Sequence, residues 1–492
     1  MLSDDHDGVI DLPEDAPLGA RYIDYADLAD PVIEIAITPN RPDALGVAGI
    51  ARDLAARGLG RIITPATQPV AGAFPCPVSV TIADDVAQKG CPVFAGRVIR
   101  GVTNGPSPDW LQRRLRAIGL RPISALVDIT NFFTYDRNRP LHVFDVAKIA
   151  GAALRVHHAD GGEELTALDD NSYRLEAGMM TISDANGPES IAGIMGGLAS
   201  GVTEATTDVF LESAYWDPVT IAATGRRLKI NSDARYRFER GVDPVFTPEA
   251  VDLATQMITE LCGGTPSEMV VAGGVPDTAR SFALNPRRVV SLVGMDIPVD
   301  EQVAILTKLG FEPTPAADGY DVAVPSWRPD VKGEADLVEE VARIASLTGL
   351  QGRPLPRLTA GIPKPVMTAR QRRGQAARRT CASLGYNECI SYSFIDQASA
   401  ALFGGGDDAT MLENPISSEM SHMRPALLPG LLQAAARNQA RGFMDLALFE
   451  VGPAFHGSEP GEQHTLITGL LVGRTGPKDV HGASRPVDLY DV

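Results

Sequence analysis

Four carboxylates in the second half of the chain have the type and spacing of ligands for a hard cation. Asp336, Glu339 and Glu340 stand at positions i, i+3 and i+4 of a predicted helix, on one face, and Asp330 lies just upstream in a turn. Magnesium favours such oxygen ligands and keeps several of its waters. Acidic residues in a first helical turn also stabilise the helix dipole without a metal, so spacing alone leaves both interpretations open.

Glu212 is a second acidic side chain with an unusual setting, because it ends the apolar run Val-Phe-Leu-Glu. Side chains alternate across a strand, so this run can present a carboxylate from a half-buried surface, where it would accept hydrogen bonds strongly. By contrast, a Thr-Asn pair is common in caps and turns, and a lone histidine is more often packed than catalytic. Thr130, Asn131 and His142 therefore predict no chemistry by residue type alone.

Periodicity predicts both helices and strands throughout the chain. Amphipathic spacing, with Gly or Pro at the ends, predicts helices at 44–57, 108–118, 298–309, 334–348 and 368–384. Alternating or β-branched apolar runs predict strands at 33–37, 93–99, 154–157, 179–183, 207–211, 288–294, 320–325, 390–395 and 446–452.

Proline-rich stretches at 65–77, 273–286 and 351–365 divide these elements into segments. We expect an α+β multidomain protein with a small α/β domain at 19–70 and a mixed α/β domain at 75–275. A small helix-and-strand domain at 280–352 resembles a winged helix, and a further domain occupies 360–492. The length of 492 residues agrees with roughly three or four domains.

Composition excludes several classes of protein. The 44% apolar and 22% charged residues are typical of a soluble globular chain, and no apolar run is long enough to span a membrane. Five scattered cysteines without a CxxC pair fit neither a disulfide framework nor a zinc site, and indicate a reducing cytoplasm. The sequence contains no Walker loop, HExxH, GxSxG or Rossmann fingerprint.

A net charge of −18 repels polyanions on average, so nucleic acid would have to meet a local basic patch or a partner's surface. Arginine and lysine cluster at 113–116, 226–229 and 370–379. Solvated helix faces are the ordinary explanation of about two such clusters in three.

Five collinear motifs carry a resemblance to a known family. They are EIAITPNRPDALGVAGIARDLAA at 34–56, ALVDITNFFTYDRNRPLHVFD at 125–145, IAGIMGG at 191–197, RYRFERGVDP at 235–244 and VPSWRPDVKGEADLVEEVARI at 324–344. In this order they resemble bacterial phenylalanyl-tRNA synthetase beta subunits. The resemblance implies that 1–18 is the tail of an absent OB-type tRNA-binding module. It also implies that 360–492 is an incomplete, catalytically silent domain with the antiparallel sheet of class II synthetases.

The resemblance places a hydrolytic editing site in the 75–275 domain. An apolar pocket for phenylalanine rejects the added hydroxyl of tyrosine only about 10²-fold, so a second site must remove the error. The positions that match the family site are His142, Glu212, Thr130 and Asn131 for catalysis, and Ala192, Gly193 and Ser232 for the pocket. Glu212 is expected to bind the tyrosine hydroxyl.

The resemblance also implies partners and cofactors. Asp330, Asp336, Glu339 and Glu340 would hold Mg²⁺ shared with an alpha subunit, in an α2β2 enzyme that uses ATP and phenylalanine tRNA. Two other interpretations remain open. One is a free-standing hydrolase of mischarged tRNA, and the other is a non-catalytic interaction scaffold.

Overall fold

The computed structural model describes residues 12–14, 16–26, 29–63, 67–352, 354–356, 366–476, 480, 482 and 484–492. The chain divides into two compact units, Met1–Gly352 and Arg353–Val492, and each is described by itself. The predicted domains at 19–70, 75–275 and 280–352 all lie in the first unit. Most of the predicted tail at 1–18, namely 1–11 and 15, lies outside the described residues, as do 360–365 of the last domain.

The first segment is largely irregular, with two α-helices, α1 (Tyr22–Tyr25) and α2 (Val47–Arg57). A 3₁₀ turn at Pro42–Leu45 leads into α2, and Gly58 ends that helix in the left-handed conformation at φ 90°. The predicted strand at 33–37 is wrong, since the described residues of this segment contain no strand. Ile33 and Ile35 are 78% and 50% exposed, so the alternating pattern has no surface to bury against.

The second segment contains twelve strands and six α-helices among the described residues. In chain order they are β1 (Ser79–Ile82), α3 (Asp84–Ala87), β2 (Val93–Arg100), α4 (Asp109–Ala117), α5 (Ala125–Arg137), β3 (His142–Asp145), β4 (Ala153–His158), β5 (Glu164–Thr166), β6 (Ser172–Arg174), β7 (Met180–Ser183), β8 (Pro188–Ile191), β9 (Met195–Gly196), β10 (Asp208–Ala214), α6 (Pro218–Leu228), α7 (Asp233–Phe238), α8 (Phe246–Cys262), β11 (Thr265–Pro266) and β12 (Val270–Gly273). The strands predicted at 93–99, 154–157, 179–183 and 207–211 and the helix at 108–118 are confirmed, within the usual uncertainty at the ends.

Two five-stranded sheets form the body of this domain. One has the order β1-β4-β7-β8-β9, and the other runs β11-β2-β10-β3 with β12 also paired to β2. Strand alternation gives the second sheet two buried faces. Phe94, Phe144 and Phe210 belong to the core shared with the first sheet, whereas Val143 and Leu211 belong to a core with α5 and α8.

The third segment is a three-helix domain with a small antiparallel sheet, as the winged-helix-like prediction requires. Its elements are β13 (Ser281–Leu284), α9 (Arg287–Val293), α10 (Val299–Lys308), β14 (Glu312–Ala316), β15 (Gly319–Ala323) and α11 (Glu334–Ala345), with the sheet order β13-β15-β14. The strand predicted at 288–294 is wrong, because that run forms α9. Val289 and Val293, one helical turn apart, pack in the core, while Val290 and Leu292 are exposed.

The second unit has three α-helices and five strands in its described part. They are α12 (Ala369–Ser383), β16 (Asn387–Glu388), β17 (Phe394–Ile395), α13 (Gln397–Leu402), β18 (His422–Met423), α14 (Leu428–Gln439), β19 (Leu446–Phe455) and β20 (Gln463–Val472). The sheet β16-β19-β20 is mixed, since β16 is parallel to β19 and β20 antiparallel, so the antiparallel prediction holds for one pairing of two. Of the strand predicted at 390–395, only β17 forms.

Among the described residues, no helix combines the length and the apolar character that crossing a membrane demands.

Candidate active site

The register of two strands brings Glu212 and His142 together. They are direct partners in the antiparallel pair β10–β3, although 70 residues separate them in the sequence. Directly opposed residues of an antiparallel pair project from the same face of the sheet. That face also carries Phe144 and Phe210, so the carboxyl and imidazole groups sit at the edge of an apolar core.

Glu212 is a buried acid without a hydrogen-bond partner at one oxygen. The residue is 6% exposed, and its Oε2 accepts no hydrogen bond from the described residues. Burial disfavours the charged form and raises the pKa of this carboxyl group to about 8. At neutral pH Glu212 is therefore mainly protonated, and a neutral carboxyl group can both donate and accept.

Burial shifts the pKa of His142 in the opposite direction to that of Glu212. Its Nε2 is buried and unpartnered within the described residues, and burial lowers the pKa of the imidazole to about 4. The ring stands edge-on to Phe144, with the ring centroids 4.4 Å apart. A neutral imidazole offers one donor and one acceptor nitrogen, so Glu212 and His142 together present uncharged hydrogen-bonding groups with unused capacity.

A glycine-containing loop after β8, residues 192–196 with the two residues of β9 included, approaches the histidine. A Cβ at Gly196 would stand 2.3 Å from Cε1 of His142, and one at Gly193 would stand 2.6 Å from Cδ1 of Trp216. Gly193 has φ +68°, the left-handed conformation that glycine adopts without strain. Ala192 is buried next to it. The loop thus approaches both rings closely only because these two positions lack side chains.

Ser232 fixes this loop to the following helix. Its Oγ donates to the carbonyl of Ile194 at 2.7 Å and accepts from the backbone N of Arg235 at 3.1 Å, which caps α7. A cavity of about 300 Å³ lies beside Ser232 and is also lined by Arg235 and Glu239, but not by His142 or Glu212. The structure therefore assigns Ser232 a role in holding the loop in place.

Thr130 and Asn131 lie on α5, and no hydrogen bond among the described residues joins them to Glu212 or His142. The Oγ1 of Thr130 donates to the carbonyl of Val127 within the helix, at 2.8 Å. The apolar side of α5 packs on the other face of the β10–β3 pair, through residues such as Ile129. Of the seven predicted editing positions, His142, Glu212, Ala192, Gly193 and Ser232 share the β10–β3 face and its loop.

Sequence reasoning missed two residues of this site, Trp216 and Gly196. Trp216 is 1% exposed and packs against Gly193. Gly196 lies in the IAGIMGG motif. A glycine within a strand can mark the close approach of another group, and this was the signal that the sequence offered.

In the acidic cluster of the third domain, arginine side chains contact two of the four predicted metal ligands. Glu340 is 1% exposed and receives hydrogen bonds from Arg328 and Arg343, each at 2.5 Å. Burial raises its pKa, but these two arginines outweigh burial and lower the pKa to about 2. Arg328 also pairs with Asp330 at 2.7 Å. Arginine therefore already neutralises two of the four carboxylates.

The other two carboxylates of the cluster remain accessible. Asp336 accepts from the backbone N of Lys332, and Glu339 accepts from the amide of Asn40 at 3.3 Å. In the described part of the chain no three His, Cys, Asp or Glu side chains are grouped so as to hold a metal ion. The magnesium site predicted at Asp330, Asp336, Glu339 and Glu340 therefore stays a prediction, with Asp336 and Glu339 as its accessible members.

The same arginines fix α2 to the third domain. Asp53 on α2 pairs with Arg343 at 2.6 Å and with Arg41 at 3.1 Å, and Arg41 pairs in turn with Asp43 at 2.9 Å. These side chains continue the Arg328–Glu340 pairing into one partly buried network of alternating charges. The acidic cluster is, in this unit, part of an interdomain contact.

Three families match separate parts of the chain. The B3/4 domain matches 90–263, the tRNA synthetase B5 domain matches 282–346, and the phenylalanyl tRNA synthetase beta chain CLM domain matches 355–492. His142 and Glu212 thus fall in the first match and the arginine–carboxylate network largely in the second.

Curated relatives match the chain over its whole length. The phenylalanine–tRNA ligase beta subunits of Cereibacter sphaeroides and Ruegeria pomeroyi are 68% and 70% identical over 100% of this chain, which covers 60% and 61% of their own length. That of Paramagnetospirillum magneticum is 51% identical, with 61% of its length covered. A solved N-terminal fragment of the Pyrococcus horikoshii beta subunit is 17% identical, with a TM-score of 0.34 over 62% of this chain and 84% of the fragment, and supports no inference.

The chain spans about 60% of the length of the curated relatives it matches. Its three matched domains occur in the order in which the collinear motifs predict them. On these matches, the chain is similar over its whole length to phenylalanine–tRNA ligase beta subunits, of which it covers about 60%.

Proposed function

We propose that the chain is the editing part of a phenylalanine–tRNA ligase beta subunit, and that it hydrolyses the ester of tyrosine mischarged to phenylalanine tRNA. The observation that carries this proposal is the pair Glu212 and His142. Both lie on one face of the sheet, each has a buried polar atom without a partner among the described residues, and Gly196 lies directly against the ring of His142. Unsatisfied buried polar groups are costly, and at functional sites they are often completed by a ligand.

Glu212 supplies the discrimination between the two amino acids. Its protonated carboxyl group exchanges a hydrogen bond with the phenolic hydroxyl of tyrosine, and phenylalanine would leave that group unpaired in an apolar setting. A site of this kind can reject the analogue that lacks the hydroxyl by about 10⁴–10⁵-fold. Ala192 and Gly193, the latter in direct contact with Trp216, would form the wall beside the aromatic ring.

His142 and α5 serve the ester. Because the imidazole is neutral at physiological pH, one of its nitrogens can accept a proton from the water that attacks the ester carbonyl. The imidazolium then gives that proton to the ribose oxygen as the C–O bond breaks, which releases tyrosine and the ribose hydroxyl. Thr130 and Asn131 would hydrogen-bond the ester and the terminal adenosine once the substrate is bound.

The test compares hydrolysis of tyrosyl- and phenylalanyl-tRNA by the wild-type chain and by Glu212→Ala. We expect the ratio of the two rates to fall by at least about 100-fold, towards one, because both esters then meet an apolar wall. Glu164→Gln, an exposed acid on β5 of the same domain, should leave the ratio unchanged. An unaltered ratio in Glu212→Ala would remove Glu212 from recognition.

The wider assembly is part of the same proposal. An alpha subunit would carry amino-acid activation with ATP, in an α2β2 enzyme, and phenylalanine tRNA would be the shared substrate. Asp336 and Glu339 would contribute to a magnesium site completed by that partner. All five cysteines are free thiols, which supports a cytoplasmic location.

Copurification with the alpha subunit separates this assembly from a free-standing hydrolase. A stable complex with editing activity supports the assembly, and hydrolysis by a chain that binds no alpha subunit supports the alternative.

A further inference from the structure

We infer that a groove between α4, α5 and α8 binds a nucleobase of single-stranded RNA, and that α4 binds the adjoining phosphates. The inference rests on the proposed function for the identity of the RNA as a tRNA. It does not depend on the ester chemistry at Glu212 and His142.

The groove has the size and surface of a site for one planar ring system. It encloses about 290 Å³, at the small end of the roughly 300–1,000 Å³ typical of ligand sites. Its walls are mainly aromatic and aliphatic, formed by Trp110, Phe132, Phe133, Leu253, Met257 and Leu261. Such a surface gains most from an apolar, flat ligand.

Trp110 is the side chain best placed to stack with a base. It is 40% exposed, unlike the buried Trp216, and it meets Phe132 edge-on with ring centroids 5.9 Å apart. Phe132 holds the indole from one side and leaves part of it open to solvent. Exposed aromatic rings of this kind are the usual stacking platforms for unpaired bases.

Positive charge lies next to this ring. Arg113 and Arg114 follow Trp110 by three and four residues on α4, which places them on its side of the helix, and Arg116 and Arg121 extend the patch. No acidic residue occurs between 110 and 121. On a chain with a net charge of −18, this patch is a local exception that complements phosphates.

The polar rim of the groove fits the edge of a base. Asp136 is already paired with Arg137 at 2.7 Å, so its charge does not oppose a phosphate strongly. Glu260 is an exposed carboxylate that can accept a hydrogen bond from an exocyclic amino group. Adenine, guanine and cytosine carry such a group and uracil does not, so the groove should favour an adenylate strand over a uridylate strand.

The experiment measures binding of a fluorescein-labelled twelve-residue adenylate RNA to the full 492-residue chain by anisotropy. This RNA carries no aminoacyl ester, so a failure of the editing proposal cannot affect the result. We expect Trp110→Ala to weaken binding roughly ten-fold, in line with the stacking energy of one base, and Trp110→Phe to retain most of the affinity. Uridylate RNA should bind the wild-type chain more weakly than adenylate RNA.

The charge contribution is tested with paired substitutions. Arg114→Gln with Arg116→Gln should reduce the slope of log Kd against log salt by about 1.4, since each phosphate contact on a single strand contributes about 0.7. The matched control is Arg226→Gln with Lys229→Gln, which removes the same charge from exposed positions near the end of α6. Circular dichroism and urea unfolding of each variant identify any loss of folding.

Three outcomes would overturn the inference. They are wild-type affinity in folded Trp110→Ala, an equal loss in the control pair, and no binding of either RNA by the wild-type chain. If the groove variants instead bind RNA normally but lose copurification with an alpha subunit, the groove is a protein interface and the RNA inference fails.

Discussion

At the scale of single residues, burial shifts the pKa values of Glu212 and His142 in opposite directions, and in both cases it favours the uncharged form. Glu212 keeps its proton well above the pH at which glutamate ordinarily ionises, and His142 stays unprotonated well below the usual pKa of histidine. Both are therefore uncharged between about pH 5 and pH 7. Because neither group is charged, a tyrosine hydroxyl and a water molecule can bind without first displacing a counter-ion.

The raised pKa of Glu212 predicts a pH dependence of stability. The unfolded chain loses this proton near pH 4.5 and the folded chain near pH 8, so the free energy of unfolding falls as pH rises through that window, by roughly 1.4 kcal/mol per unit. Glu212→Gln removes this contribution. In urea unfolding at pH 5 to 8, this variant should become progressively more stable relative to the wild-type chain.

Two comparisons make the pH test specific. Glu164→Gln should keep a constant difference from the wild-type chain over the same range. The contribution of His142 to stability falls as pH drops from 6.5 towards 4, but it is present in the wild-type chain and in Glu212→Gln alike and cancels in their difference. A constant difference for Glu212→Gln between pH 5 and 8 would mean that the acid is not buried as described.

At the scale of elements, Gly196 on β9, at the end of the loop after β8, lies directly against the His142 ring and should fix its position. Gly196→Ala would place a methyl group on the ring, which must then move, although the backbone at this position suits any residue. We expect hydrolysis of tyrosyl-tRNA to fall by up to about 100-fold, since misplacing a catalytic group by about 1 Å has this effect. The cost in stability should be about 1–3 kcal/mol.

Gly105→Ala is the matched control for the loop, because a Cβ there meets no atom within 4 Å. Rates and urea midpoints are measured for both variants. Normal hydrolysis by Gly196→Ala would show that the ring position is not set by this loop.

The arginine–carboxylate network predicts a second effect at this scale. Glu340→Gln leaves Arg328 and Arg343 without a buried counter-charge, and removing one partner of such a pair costs about 3–5 kcal/mol. Glu339→Gln on the exposed face of the same helix should change stability by less than about 0.5 kcal/mol. Urea unfolding at pH 7 distinguishes the two, and equal effects would contradict the network's role.

Helical spacing predicted many of the helices well. Features that depend on contacts with residues distant in the sequence were not predicted. The apolar positions of α10 and α11 repeat along one chain segment and can be read there. The run at 288–294 is rich in β-branched residues, yet only tertiary packing decides that Val289 and Val293 face a core. The pattern at 33–37 failed because a strand needs a neighbour.

In the candidate site too, the local sequence indicated the residue types, while contacts between distant segments determined the geometry. The motifs supplied the residue types at 142 and 212, but their direct pairing arises from strand register, which residues 70 positions apart do not reveal. Likewise the spacing of Asp336, Glu339 and Glu340 correctly placed them on one helix, while Arg328, one of the two arginines that neutralise Glu340, comes from the preceding turn. Charge partners decide whether a carboxylate is available to a metal.

At the scale of the whole molecule, the proposal gives editing to this chain and amino-acid activation to a separate alpha subunit. Every residue of the editing proposal lies in the first compact unit, and activation of phenylalanine is assigned to an alpha subunit. We expect the chain alone to hydrolyse tyrosyl-tRNA, and to show no phenylalanine-dependent exchange of pyrophosphate into ATP. Exchange activity that survives rigorous purification would contradict this division, and adding the alpha subunit is the positive control.

The sheet of the second unit ends in a strand whose outer edge has consequences for handling the protein. Over its ten residues, β20 pairs in the described part of the chain only with β19, and Ile467 on it is 49% exposed. An open strand edge of this length is a template for backbone pairing with a neighbouring molecule. At high concentration it favours self-association of the chain, and a lysine introduced in place of Ile467 would be the simplest means to suppress aggregation.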